Sequence, residues 1–181
     1  MFYQTQKCAL FIDGQSLFYA CRELGFAVDY QALRNYFAEA TMLARAKFYA
    51  LDRVEDGQSP LRRTVDWLTH NGFSPVILDQ PTVECTGAVK HRQAVLNGHK
   101  AVDALSMGGA IDHAVFIDNS PSLIPVIAAL QAQGITVTVI STIKTDVPMI
   151  GQDLRRTADH FLDVNDLAQS IQFEPARTSV A

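Results

Sequence analysis

The feature that most constrains this chain is a series of short apolar runs, each closing on or near an aspartate. KCALFID (Lys7–Asp13), RAKFYALD (Arg45–Asp52), FSPVILDQ (Phe73–Gln80) and HAVFID (His113–Asp118) all have this form, and ITVTVIS (Ile135–Ser141) is a fifth run rich in β-branched residues. A continuous apolar run has no polar side to offer to water, so each reads as a strand buried on both faces. Helical patterns separate the runs. Leu33, Tyr36, Phe37, Ala40 and Leu43 share one face, Val65 and Leu68 another, and PSLIPVIAALQAQG carries Pro at its first turn and Gly134 at its stop. Strands alternating with helices predict an α/β chain: a three-layer α/β/α sandwich on a mainly parallel sheet of about five strands, with right-handed crossovers. FLDV, near the end, adds a short strand. Residues 81–98 are the least regular stretch.

At 181 residues and 48% apolar, the chain suits one compact domain, expected over residues 1–173, with 174–181 as a frayed tail. No apolar run approaches the roughly 20 residues a membrane span needs, and no signal-peptide pattern is present, so the expectation is a cytoplasmic protein. Cys8, Cys21 and Cys85 are odd in number and widely spaced, against a disulfide framework, and no Cys/His cluster suggests zinc.

In open parallel sheets, ligands gather at the carboxyl ends of the strands. Asp13 and Asp118 both lie there. If their strands are neighbours, the two like charges need a cation between them. Hard oxygen ligands suit Mg²⁺ or Mn²⁺, an ion that activates water and stabilises a phosphoryl transition state. The competing explanation is that acids end strands because loops are solvated, and Asp52 and Asp79 are read that way. GQS after Asp13 is no phosphate loop, since neither GxxxxGK[ST] nor GxGxxG occurs.

The net charge of −4 is not that of a protein that coats nucleic acid, so any RNA contact must be local. Lys90, His91, Arg92, His99 and Lys100 cluster around the irregular stretch and would form a basic rim for a phosphate backbone, or be ordinary solvated charge. Phe18, Tyr19 and Tyr36 are placed in the core by helical spacing, with base stacking as the other use of such side chains.

The chain resembles the NYN family of PIN-like domains, which includes LabA-type proteins. The resemblance rests on ALFIDG, RAKFYALD, HKAVDAL, AVFIDNSPSLIPVIAALQAQGITVTVIS and LRRTADHFLDVNDL, in order, from about Lys7 to about Leu167. It implies a PIN-like α/β/α fold and a role in metal-dependent RNA cleavage or RNA binding. Asp13 matches the family's first-strand aspartate. Asp103 and Lys100 match its KxxD-like helix motif. The usual SGDSDF segment is altered: Ser120 and Ser122 stand at its two aspartates and Asp118 at its serine. Ser16 stands where asparagine is common.

The resemblance therefore implies a catalytic set of Asp13, Asp103 and Asp118, with Ser120 and Ser122 as further metal-site residues and Mg²⁺ or Mn²⁺ as the ion. Ser16, Lys90, His91, Arg92, His99 and Lys100 are the RNA-binding set. Two functions follow: a ribonuclease in which Asp118 replaces the missing acids, or a non-catalytic module of the same fold that binds RNA or a protein partner. A symmetric homodimer suits a domain of this size.

Overall fold

A computed structural model describes residues 2–53, 58–79 and 86–173. Six parallel strands form one sheet in the order β3-β2-β1-β4-β5-β6, with β1 Lys7–Asp13, β2 Met42–Asp52, β3 Ser74–Asp79, β4 His113–Ile117, β5 Thr136–Ser141 and β6 His160–Asp163. The expected five strands become six because His160–Asp163 pairs with β5 over four residues. With two flanking polar residues, that segment carries little hydrophobic pattern.

Seven α-helices cover the sheet among the described residues: α1 Gly14–Glu23, α2 Tyr30–Ala40, α3 Arg62–His70, α4 Thr86–Ser106, α5 Ile124–Gln131, α6 Gln152–Thr157 and α7 Ala168–Ile171. The alternation along β1 assigns them to faces. Cys8, Leu10 and Ile12 point into a core shared with Leu17, Leu33, Phe37, Leu68 and Ile171, from α1, α2, α3 and α7. Ala9 and Phe11 point into the opposite core, with Leu96, Ala104, Ile127, Leu130 and Leu154 from α4, α5 and α6. The continuous apolar runs thus have helices on both sides, as the sequence requires. No helix among the described residues is long and apolar enough to cross a membrane. The expected tail, 174–181, lies outside the described residues, as does Cys85.

Residues 86–106, partly read as irregular, form one 21-residue helix. Its pattern is hard to see because one of its faces carries Gln93, Asn97 and Lys100, which meet polar groups at the carboxyl ends of the central strands β1 and β4 instead of the apolar core.

His113 opens β4 fully buried, its Nε2 2.7 Å from Thr138 Oγ1. Burial, then the nearby His160, lowers its pKa to about 4. The unfolded chain binds this proton near pH 6.5 and the folded chain does not, so stability present above pH 6.5 is lost as pH falls toward 4. The expected loss is about 3 kcal/mol at the acid limit, and His113→Phe should remove that part of the acid slope in urea titrations at pH 7 and pH 4.5.

Candidate functional site

The chain runs from β1 outward to β2 and β3, then returns to place β4 on the other side of β1. The carboxyl ends of β1 and β4 therefore flank a switch point, where open α/β sheets form clefts. Ile12 pairs with Ile117, so Asp13 and Asp118 leave the sheet side by side.

A lysine fills the position between them. Lys100, on α4 and wholly inaccessible to solvent, donates from Nζ to Asp13 Oδ2 at 3.0 Å and to Asp118 Oδ2. Burial works against its charge, but the attraction of Asp118 and then Asp13 outweighs it, so its pKa stands above the ordinary lysine value. Two carboxylates share one ammonium, leaving one excess negative charge. Burial pushes the Asp118 carboxyl above its usual range; Lys100 opposes that shift and Asp13 adds to it.

Both carboxylates also hold the backbone. Asp13 caps α1, Oδ1 accepting from Ser16 N at 2.9 Å. Asp118 Oδ1 accepts from Asn119 N at 2.7 Å and Ser120 N at 2.8 Å. Around this centre lies a rim of neutral polar side chains. Gln93 Nε2 reaches Asp13 Oδ2 at 3.3 Å and Asn97 Oδ1 at 3.2 Å; Asn97 Nδ2 donates to Ser120 Oγ at 3.1 Å. Ser120 Oγ lies 2.8 Å from Ser122 Oγ, and Ser16 Oγ donates to Asn119 Oδ1 at 3.2 Å.

Asp103 is not brought to this group. Its Oδ2 accepts from Tyr49 Oη at 2.8 Å and its Oδ1 pairs with Lys47 at 2.7 Å. Burial, then Asp103, pushes the Tyr49 hydroxyl pKa far up, so it remains a donor. The Tyr49 ring separates the two charges of the KxxD-like motif, with Lys100 Nζ 5.5 Å from its centroid.

The two converging carboxylates hold an ammonium in the place a divalent ion would take. Among the described residues no group of three His, Cys, Asp or Glu is placed to hold a metal, and the two carboxylates that converge already have a cation. Ser120 and Ser122 sit beside the pair, bonded to Asn97 and to each other.

Lys90, His91, Arg92 and His99 are exposed on α4. Helical spacing puts Lys90 in line with Asn97 and turns His91, Arg92 and His99 away from the Gln93–Asn97–Lys100 stripe. Sequence reading missed Gln93, Asn97, Asn119 and Tyr49. The i, i+4, i+7 spacing of Gln93, Asn97 and Lys100 was the available signal for the first two. Asn119 follows directly on Asp118. Tyr49, in an apolar run, had none. Tyr36 is partly buried against the core, but Phe18 and Tyr19, also expected in the core, are exposed.

Strand order and motif positions together define a three-layer α/β/α domain on a parallel sheet, and the NYN domain matches residues 7–167, so the chain belongs to the NYN domain family. It is 26% identical over 174 residues to "Low amplitude and bright protein LabA" of Synechococcus elongatus, covering 95% of this chain and 91% of that protein. The crystal structure of a protein of unknown function from Vibrio parahaemolyticus, VPA0982, shares the fold with a TM-score of 0.71 at 20% identity, over 94% of this chain and 98% of that one.

Proposed function

We propose that the protein is a metal-independent RNA-binding member of the NYN family. The observation that carries this reading is the Lys100 ammonium between Asp13 and Asp118. A divalent ion in that place would have to expel a fully buried lysine whose two partners are the ligands the ion itself needs. Amides and hydroxyls surround the pair, and such groups address ribose hydroxyls and base edges. Lys90, in line with Asn97, adds an exposed charge for a phosphate.

A second reading is favoured by the two retained carboxylates at neighbouring strand ends: a Mg²⁺- or Mn²⁺-dependent ribonuclease in which substrate phosphate supplies the missing oxygens. Thermal unfolding separates the two. A ligand at about 100 times its dissociation constant stabilises by roughly 2.7 kcal/mol. The expected result is no shift of the wild-type midpoint with millimolar Mn²⁺ or Mg²⁺, together with RNA binding, read by fluorescence anisotropy, that weakens with salt and persists in EDTA. A metal-induced shift in the wild type that disappears in Asp13→Asn would overturn the proposal in favour of the nuclease. No RNA binding at low salt would overturn it in favour of a protein partner.

A further inference from the structure

Beside the polar centre lies a cavity of a different character. Its volume is about 890 Å³, and Phe18, Tyr19, Arg22, Tyr30, Phe48 and Asp52 are among its lining residues. It opens on the face of the sheet opposite α4, between α1, the 25–30 loop and the start of α3. Helix α1 joins the two places: Ser16 turns to the polar centre, while Gln15, Phe18, Tyr19 and Arg22 border the cavity.

Two independent observations indicate what the cavity holds. The first is an unsatisfied acceptor. Asp52 is 5% exposed; its Oδ2 accepts the Ser59 hydroxyl, and among the described residues its Oδ1 has no hydrogen-bond partner. A buried carboxylate oxygen without a donor is unfavourable, and because this one has almost no accessible surface, a ligand N–H would meet it after a small turn of the carboxylate toward the cavity. The second is a pair of aromatic rings left in water at the rim. Phe18 is 52% exposed and Tyr19 44%, with the Arg22 guanidinium 5.8 and 4.9 Å from their centroids. Exposed rings beside an arginine are a stacking platform for a flat π-system. An apolar cavity with one placed acceptor fits a planar ligand that presents one donor at its edge.

We propose that this cavity binds a nucleobase bearing an exocyclic amino group, of the adenine or cytosine type, stacked at the Phe18–Tyr19 rim and donating its N–H to Asp52. Carboxylates accept from such amino groups, whereas the corresponding edge of uracil presents a carbonyl oxygen that a carboxylate repels. The base comes either from a free nucleoside or from a strand of RNA held at the neighbouring polar centre. The second source rests on the RNA-binding reading above.

The test is isothermal titration of wild type, Tyr19→Ala and Asp52→Asn with adenosine, cytidine and uridine, and anisotropy with labelled oligo(A) and oligo(U). Tyr19 lies at the surface, outside both cores, and Asp52→Asn is isosteric, so both variants should remain folded, which circular dichroism checks. The expected result is that adenosine and cytidine bind about tenfold more tightly than uridine. Tyr19→Ala should weaken them about tenfold. Asp52→Asn should shift preference toward uridine, whose O4 accepts from the new amide. Binding of the free nucleosides identifies the free source. Preference seen only with oligonucleotides, and lost in Asp52→Asn, identifies the strand. RNA binding without base preference and unchanged in both variants overturns the cavity proposal and leaves the RNA-binding reading standing. Nucleoside binding with the stated preference but no oligonucleotide binding supports the cavity and overturns that reading. If nothing binds, both fall.

Discussion

Replacing Lys100 by methionine is expected to lower stability by about 3–5 kcal/mol, the usual effect of removing one partner from a buried ionic group. Methionine retains most of the stem and its packing against Tyr49, so the loss reports the charge. In a domain of this length the unfolding midpoint should fall by roughly 10 °C. The defect also has a pH signature. Without the ammonium, Asp13 and Asp118 face each other in the interior and one of them takes up a proton at neutral pH. Its folded pKa then exceeds its unfolded value, so the variant gains stability relative to wild type as pH falls from 7 to 5. Lys100→Ala goes further by leaving space beside both carboxylates. Mn²⁺ is expected to stabilise that variant and not the wild type. A Lys100→Met midpoint equal to wild type at pH 7 would show that the ammonium does not neutralise the pair.

Asp118→Ala should be of similar size, again about 3–5 kcal/mol, for two separable reasons. It removes one of the two carboxylates that hold Lys100, and it removes the acceptor of the Asn119 and Ser120 amides. Asp118→Asn separates them. The amide oxygen keeps both backbone bonds while the negative charge is lost, so this variant should retain more stability than alanine, by the worth of those two bonds, about 1–3 kcal/mol. Urea denaturation of the three proteins measures the difference. Equal losses in Asp118→Asn and Asp118→Ala would mean that the loop bonds contribute nothing beyond the charge.

The fold was readable because buried parallel strands leave a strong mark. Runs such as CALFI and AVFI, with no polar residue at alternate positions, have few places to go other than a sheet covered on both sides. β6 was weaker for the same reason, as its short sequence carries polar residues at both ends. Of the site, Asp13 and Asp118 were legible from their place at strand ends, and their proximity followed from topology. The role of Lys100 was not, because the same KxxD spacing serves a phosphate ligand, a helix-surface pair or a buried counterion. Only the packing of α4 against the strand ends chooses among these. Asp103 shows the limit most clearly: three residues from Lys100 on one helix, it is held by Lys47 and Tyr49 on β2. Phe18 and Tyr19 erred the other way, since helical spacing identifies a face but not what covers it.

The strand order has a consequence for how the chain is made. Of the six described strands β1 is synthesised first, and it lies inside the sheet, paired on one side with β2 and on the other with β4. Its second edge pairs Cys8 with His113, so it waits for roughly 100 further residues, about 5–20 seconds of translation. During that interval a largely apolar, buried strand presents an unpaired edge, an arrangement open to pairing with another chain. Lys100 is made just before β4, so Asp13 receives its counterion and its neighbouring strand at nearly the same moment. The nascent domain therefore closes late, and its ionic centre and its central strand pair are completed together.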